Sequence, residues 1–365
     1  MSEPNTQPVI ETPLAALHKE SGATIGTWFG CALPYSFGDW RAEYRAARES
    51  VALIDKNYRA YLRFAGPDRV RYLNAILTNN IKDLAVGHGI VSLFLNPQGK
   101  IQAEIETYAT GDSLFCISHA LIRESLIPAL DKFIIMDDVT LTNESEFYGT
   151  LALEGPRAAE VVQSLTSVAI SGKSELAFQE TGLAGISCRL TKRSPGGVAG
   201  AEFLALKSDL PRLWKLLRES VENVGGRAMG YQALSALRLE QGIPWFSYDF
   251  GEKQIAHEAG LQDSHISYTK GCYTGQEIVE RVRSRGQVNR LRVLVKLGGE
   301  EIPVSGAPLL ADGKDAGFVT RAAFSPELRA PIAMAYVRRE KSEAGSEIES
   351  ASGKAVVITP PIGDR

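Results

Sequence analysis

Apolar and polar residues alternate from Tyr58 to Phe64, with Tyr58, Ala60, Leu62 and Phe64 on one side and Arg59, Tyr61 and Arg63 on the other. A period of two residues predicts a half-buried strand. Gly66-Pro67-Asp68 then makes a turn with proline set for a first helical position, and Val70, Leu73, Ile76 and Leu77 supply the apolar face of a helix. The runs Ile90 to Leu95 and Ile101 to Tyr108 flank the turn Asn96-Pro97-Gln98-Gly99 and predict a hairpin. A strand at Leu114 to Ser118, a helix at Leu121 to Phe133 and a strand at Val139 to Leu141 complete an α+β unit.

The pattern then echoes itself. Phe147 to Leu153 reads as another strand, and Leu153-Glu154-Gly155-Pro156 opens another helix as Phe64-Ala65-Gly66-Pro67 opened the first. Two related α+β halves are the expectation. A strand at Glu202 to Leu206, an amphipathic helix from Leu210 to Val224 ended by Gly225-Gly226, and a helix from Tyr231 to Glu240 stopped by Gly242 and Pro244 follow. Beyond Leu291 the chain turns to short β-like runs between Gly, Pro and Asp, which predicts a small all-β domain. The expected division is a lead at 1–50, irregular at GTWFGCALPYSFGDW and then helix-favouring; α+β domains at 51–145 and 146–285; and a β domain at 286–365.

Composition narrows the function classes. The 365 residues are 44% hydrophobic, enough for several cores, and 40 Lys+Arg against 43 Asp+Glu leave a net charge of -3. No global field draws such a chain to nucleic acid or an anionic membrane, so an anion site has to be local. No apolar run approaches the roughly 20 residues that cross a bilayer. The start, MSEPNTQPVIETPLAALHKE, lacks a basic segment followed by an apolar one, so a cytoplasmic location is expected. Cys31, Cys116, Cys188 and Cys272 are scattered without a CxxC pair, and no metal site built by this chain alone is expected. His88 and His119 have no partner at ligand spacing, whereas His257 and His265 lie near Glu258 and Asp263 and could share protons with them. Dinucleotide, P-loop, zincin and α/β-hydrolase motifs are absent.

The densest chemistry lies in Lys270-Gly271-Cys272-Tyr273-Thr274-Gly275-Gln276-Glu277 and the arginines that follow it, Arg281, Arg283, Arg285, Arg290 and Arg292. Glycines on both sides of Cys272 permit close backbone approach, and neighbouring cations favour a thiolate, which makes Cys272 the candidate reactive thiol. The arginines could cradle carboxylates or phosphates. The alternatives are a buried small cysteine beside a turn, and a solvated arginine face partnered by Glu277 and Glu280. Without interleaved aromatics, the arginine run does not suggest direct nucleic-acid binding.

These residues resemble a known family. KGCYTGQE at Lys270 to Glu277, with Arg281 and Gly286 after it, is similar to the signature of folate-binding YgfZ proteins, relatives of the glycine-cleavage T-protein, an aminomethyltransferase. Thr12-Pro13-Leu14 with His18, Glu43 to Asp55, Leu77-Thr78-Asn79, Asn96 to Gly99, Glu154-Gly155-Pro156, Ala236 to Pro244 and His257 to Leu261 resemble T-protein landmarks in the same order. The resemblance implies a three-domain ring, two related α+β domains and a C-terminal β-barrel, around a channel for tetrahydrofolate. It implies that Arg238 contacts folate, and Phe115 and Ile117 are plausible channel walls.

Two activities follow from it. A YgfZ-like protein would assist iron–sulfur cluster assembly or repair, including for tRNA-modifying enzymes, with iron–sulfur assembly proteins and client enzymes as partners and Cys272 as its working thiol. A T-protein would transfer an aminomethyl group to tetrahydrofolate. The paired aspartates of T-proteins read here as Ala103-Glu104, and their tyrosine-glycine-glutamate loop reads Pro195-Gly196-Gly197-Val198-Ala199 without an acid. Both departures favour the first activity; in the second, Glu104, the one carboxylate that remains of the pair, would be the key carboxylate.

Overall fold

The computed structural model describes residues 8–362, apart from the side chain of Arg285. An N-terminal hairpin, Thr24–Trp28 with Cys31–Ser36, precedes two sheets that repeat one plan. The elements are β1 (Ala52–Asp55), β2 (Arg59–Ala65), α1 (Arg69–Ile76), β3 (Gly89–Leu95), β4 (Ile101–Ala109), β5 (Leu114–His119), α2 (Arg123–Asp131) and β6 (Thr140–Asn143). They continue with β7 (Tyr148–Glu154), α3 (Ala158–Thr166), β8 (Phe178–Leu183), β9 (Ile186–Lys192), β10 (Gly200–Leu206), α4 (Leu210–Asn223), β11 (Arg227–Ala228) and α5 (Tyr231–Glu240).

The first sheet runs β3-β4-β5-β2-β6 and the second β8-β9-β10-β7-β1-β11. Strand, helix, three-strand meander, helix and strand recur in the same spatial order, with β1 inserted between β7 and β11. The echo read from Gly-Pro therefore marks a topological repeat. β1, which sequence grouping places in the first domain, pairs with β7 at Leu151↔Asp55 to Glu154↔Ala52. The arginine-rich stretch before it forms the helix Trp40–Glu49, capped by the Asp39 carboxylate on the N–H groups of Arg41 and Ala42.

The two Gly-Pro turns have one physical cause. Gly66 and Gly155 adopt φ +99° and +142°, and an added Cβ would lie 2.2 Å from the Asp138 carbonyl oxygen and 2.4 Å from that of Ser50. Only glycine lets each strand leave its sheet against backbone and enter the helix.

Each sheet buries one face under its helices. Leu62, Phe64, Leu73, Ile76, Ala103 and Ile105 pack in the first unit, and Leu151, Leu153, Val161, Phe203, Trp214 and Leu217 in the second. Full burial of such side chains stabilises by about 1.5–3 kcal/mol each. The opposite faces look toward each other, with Tyr61, Tyr108, Phe115, Ile117, Leu176 and Leu204 between them. The C-terminal part is a closed six-strand barrel, joined to α5 through Leu239, Leu294, Ile332 and Met334. No helix among the described residues is long and apolar enough to cross a membrane.

Gly66→Ala and Gly155→Ala should each destabilise by about 1–3 kcal/mol, through overpacking against backbone and strained φ. Denaturant unfolding checks this, and unchanged midpoints would show that the turns yield without strain.

Candidate active site

A cavity of about 740 Å³ lies where the two sheets, the loops after α5 and the barrel converge. Strand alternation selects its walls. On β4, Ala103 and Ile105 face the helices, so Glu104, Glu106 and Tyr108 face the other way; on β5, Phe115, Ile117 and His119 share that face. Glu104, Glu106, Ile117 and His119 line the cavity. Phe115 does not: it stands one pleat farther along, 4.8 Å from the Arg189 guanidinium and edge-on to Tyr148. Of the two residues expected as walls, Ile117 lines the cavity and Phe115 lies in the packing between the sheets.

Glu104 is held by two imidazoles. Its Oε1 lies 3.0 Å from His265 Nε2 and its Oε2 3.7 Å from His119 Nε2. Burial pushes the carboxyl up, but the hydrogen bonds and charges of His119 and His265 outweigh it and hold Glu104 well below the usual carboxylate range. His265 thus pairs with Glu104, 161 positions away, and not with Asp263; His257 meets the Tyr268 hydroxyl at 3.2 Å.

Next to Glu104 is a buried ion cluster that crosses between the repeats. Arg59 on β2 donates to both carboxylate oxygens of Glu202 on β10, at 2.7 and 3.0 Å, and lies 3.6 Å from Glu106. Lys56 completes Glu202, and Arg193 donates to Glu106 at 2.8 Å. Burial raises both carboxyls, yet Arg59 and its fellow cations keep Glu106 and Glu202 below their ordinary range. On the far wall, Trp245 and Phe246 supply flat apolar surface, and Arg292 enters from the barrel. Arg292 donates to the carbonyls of Ala259 and Gly242, at 2.7 and 3.3 Å, and has no carboxylate partner among the described residues.

Arg238 is placed differently from the expectation. It is fully buried, ion-paired with Asp249, bonded to the Ile243 carbonyl at 3.0 Å, and its guanidinium lies 4.4 Å from the Trp245 ring centroid. It does not line the cavity; it braces Trp245 from behind.

The Cys272 motif is mostly scaffold. Lys270 turns away from the thiol and points its ammonium at the carbonyls of Asn74, Leu77 and Asn79, at the C-terminal end of α1. Burial there pushes Lys270 down to about 8. Tyr273 is buried among Leu93, Leu95, Ile101 and Phe246. Gly275, at φ +81°, passes so close that an added Cβ would lie 2.6 Å from the Asn96 carbonyl oxygen. Gln276 and Glu277 open the helix α6 (Gln276–Arg285), with Glu277 in its first turn. Gly271 and Cys272 are exposed, whereas the other three cysteines are buried. Among its described side chains the arginine run does not converge: Arg281 is exposed, Arg283 stacks 4.1 Å over Tyr268 and pairs with Glu280, Arg290 pairs with Asp315, and only Arg292 reaches the cavity. The side chain of Arg285 lies outside the described residues.

Residues 14–265 match the GCVT N-terminal domain and residues 290–362 the glycine cleavage T-protein C-terminal barrel domain. The chain belongs to the glycine-cleavage T-protein family. It is similar to the aminomethyltransferases of Streptomyces avermitilis, 27% identical over 92% of this chain and 91% of that one, and Rubrobacter xylanophilus, 29% identical over 92% and 89%. Its fold matches the glycine cleavage system aminomethyltransferase T of Bartonella henselae with a TM-score of 0.86, at 21% identity over 97% and 98% of the two chains.

The loop Pro195 to Ala199 borders the cavity and carries no acid of its own. Glu154, at the end of β7, accepts from the Val198 N–H at 2.7 Å from below. Burial pushes Glu154 up to about 8, against the opposing backbone N–H groups of Gly196 and Val198, so it is neutral at pH 7.

Between the unfolded value near 4.5 and the folded value near 8, the folded protein keeps a proton that the unfolded chain has released. That contribution to stability is full below about pH 4.5, falls as pH rises, and is gone above about pH 8. Glu154→Gln should therefore match the wild type at pH 5 and exceed it by about 1–3 kcal/mol at pH 9. Urea unfolding at both pH values measures this; equal offsets would mean that Glu154 is ionised in the fold.

Proposed function

We propose that the protein binds a reduced folate in the central cavity and carries out tetrahydrofolate-dependent transfer of an aminomethyl or related one-carbon unit, with Glu104 as the carboxylate at the reacting nitrogens. The observation that carries this reading is the orientation of β4: Glu104 faces the cavity as an anion, while Ala103 is fully buried in the core under the helices. The acid missing at position 103 is therefore missing from a face that no cavity ligand reaches. The relatives' names point to the same reaction.

The residues fit a folate. The volume falls in the range of small-molecule sites, Trp245 and Phe246 offer flat walls for a pterin, and Arg292 offers a guanidinium for a glutamate carboxylate. The ligand would supply the ring nitrogen that accepts the carbon unit. The chain would hold the ring, exclude water, and keep a proton acceptor at the Glu104 carboxylate.

Calorimetry with tetrahydrofolate and turnover with an aminomethylated lipoyl carrier test it. Glu104→Ala should lower turnover at least about 100-fold and weaken folate binding far less. Wild-type protein that binds tetrahydrofolate but makes no methylene-tetrahydrofolate removes the transfer step; absence of binding removes the whole reading.

A second reading, folate-linked assistance to iron–sulfur enzymes as in YgfZ proteins, is favoured by one observation. Lys270, Tyr273 and Gly275 anchor the motif, and they leave Cys272 as the exposed cysteine among the described residues. On this reading Cys272→Ala folds with wild-type stability and lowers the activity of cluster enzymes in a deletion strain. Complementation equal to the wild type would leave the thiol without that role.

A further inference from the structure

We propose that the protein has a second ligand site, apart from the central cavity, which binds a small organic anion: a flat aromatic ring that carries a phosphate or a carboxylate. This site stands whatever ligand fills the central cavity.

A cavity of about 610 Å³ opens between the N-terminal hairpin, the start of the helix Trp40–Glu49, α5 and the barrel strand Lys314–Ser325. The central cavity shares none of its lining residues. Its volume falls in the range of small-molecule sites. Trp28, Tyr35, Trp40 and Phe324 give it aromatic walls, and the loop residues Ile302 and Val304 line it while 47% and 76% exposed. Trp28 is buried against Tyr231 and Trp245, at ring-centroid distances of 5.3 and 6.0 Å, so this wall is formed before any ligand arrives.

The charges decide the ligand. Arg321 holds its guanidinium 4.7 Å from the Trp28 ring centroid and 4.6 Å from that of Tyr248. Arg41 holds its own 4.8 Å from the Trp40 centroid and 5.6 Å from that of Phe324. Both arginines line the cavity, no Asp or Glu does, and neither guanidinium has a carboxylate or other hydrogen-bond acceptor among the described residues. The two acids nearest Arg41 in the chain are engaged elsewhere, Asp39 with the N–H groups of Arg41 and Ala42, and Glu43 with those of Phe37 and Gly230. By contrast Arg59, Arg63, Arg189, Arg193 and Arg238, in and between the two repeats, each hold a carboxylate.

A guanidinium over an aromatic face keeps its edge N–H groups free, and these match the paired oxygens of a carboxylate or phosphate. Gln232 and Ser235 lie three positions apart on one face of α5 and line the same cavity. They add an amide and a hydroxyl that make no side-chain hydrogen bond among the described residues. The aromatic walls take the ring, the arginines its anionic group, and the two α5 side chains a further polar substituent.

Calorimetry on the full chain tests the site with naphthyl phosphate, naphthoate, neutral naphthol and inorganic phosphate. At least one of the two ring anions should bind about tenfold or more tightly than naphthol or inorganic phosphate, and the tighter of the two identifies the headgroup. Arg321→Gln should weaken that anion about tenfold or more, and Arg41→Gln, at an exposed position, about threefold or more. Arg321→Lys keeps the charge without the fork and should fall between the wild type and Arg321→Gln. Arg292→Gln, in the other cavity, should change this affinity by less than about twofold. Urea unfolding checks that each variant folds, and Arg41→Gln carries the test if Arg321→Gln does not. A wild type that binds neither ring anion, or binds naphthol equally well, overturns the proposal. Inorganic phosphate bound as tightly as naphthyl phosphate overturns the role of the aromatic walls. Binding lost in Arg292→Gln and kept in both Arg321→Gln and Arg41→Gln places the anion in the central cavity and overturns the second site.

Discussion

The guanidinium of Arg59 is the constraint on which the site depends. It leaves one sheet, pairs with both oxygens of Glu202 on the other, and faces Glu106 across the cavity wall. A buried charge without its partner is costly, about 3–5 kcal/mol when one member of such a pair is removed. Arg59, Glu202, Lys56, Glu106 and Arg193 therefore satisfy one another only if the two repeats sit in one relative position. That position also sets where Glu104 meets His265 and how the loop Pro195 to Ala199 borders the cavity. Packing alone would be less selective, because Tyr61, Tyr108 and Phe115 could slide with small loss, whereas a bidentate pair cannot.

A second constraint holds the cavity's other side. The segment before α6 is pinned to the first repeat by the Lys270 ammonium among three carbonyls, and by Gly275 against the Asn96 turn. The neighbouring Ser264 and His265 lie on the same connection, so the motif that carries the exposed thiol also steadies the histidine that grips Glu104. One stretch of chain thus serves both the cavity and the surface around Cys272.

Much of the fold was legible. The helix Tyr231–Glu240 has the bounds that its Gly and Pro stops indicate, and the hairpin around Asn96 to Gly99 was marked by its turn residues. Two hairpins were not legible. Trp28-Phe29-Gly30-Cys31 and Leu183-Ala184-Gly185-Ile186 turn through two positive-φ residues each, at 53° and 75° and at 47° and 81°. Their first turn residues are Phe and Ala instead of the Asn or Asp that signals such a turn, and tertiary packing supplies the difference: Phe29 stacks on Tyr58 at 4.1 Å. Strand alternation on β5 could have brought His119 to the cavity face, since it lies two residues from Ile117, which was already expected there.

The amino-acid order by itself determined the periodicities, the glycine turns, the repeat and the landmarks of the T-protein family, because these depend on neighbours within a few residues. It also separated Cys272 from the other three cysteines. The tertiary structure decided the rest: that Lys270 serves backbone carbonyls and not the thiol, that Arg238 stands behind Trp245, that four arginines of one run point to different places, and that two distant histidines share one carboxylate. Such pairings depend on where separate elements meet in space. Side-chain charge and hydrogen-bonding capacity are fixed by residue type, but their partners are fixed by the packing of the sheets and the barrel.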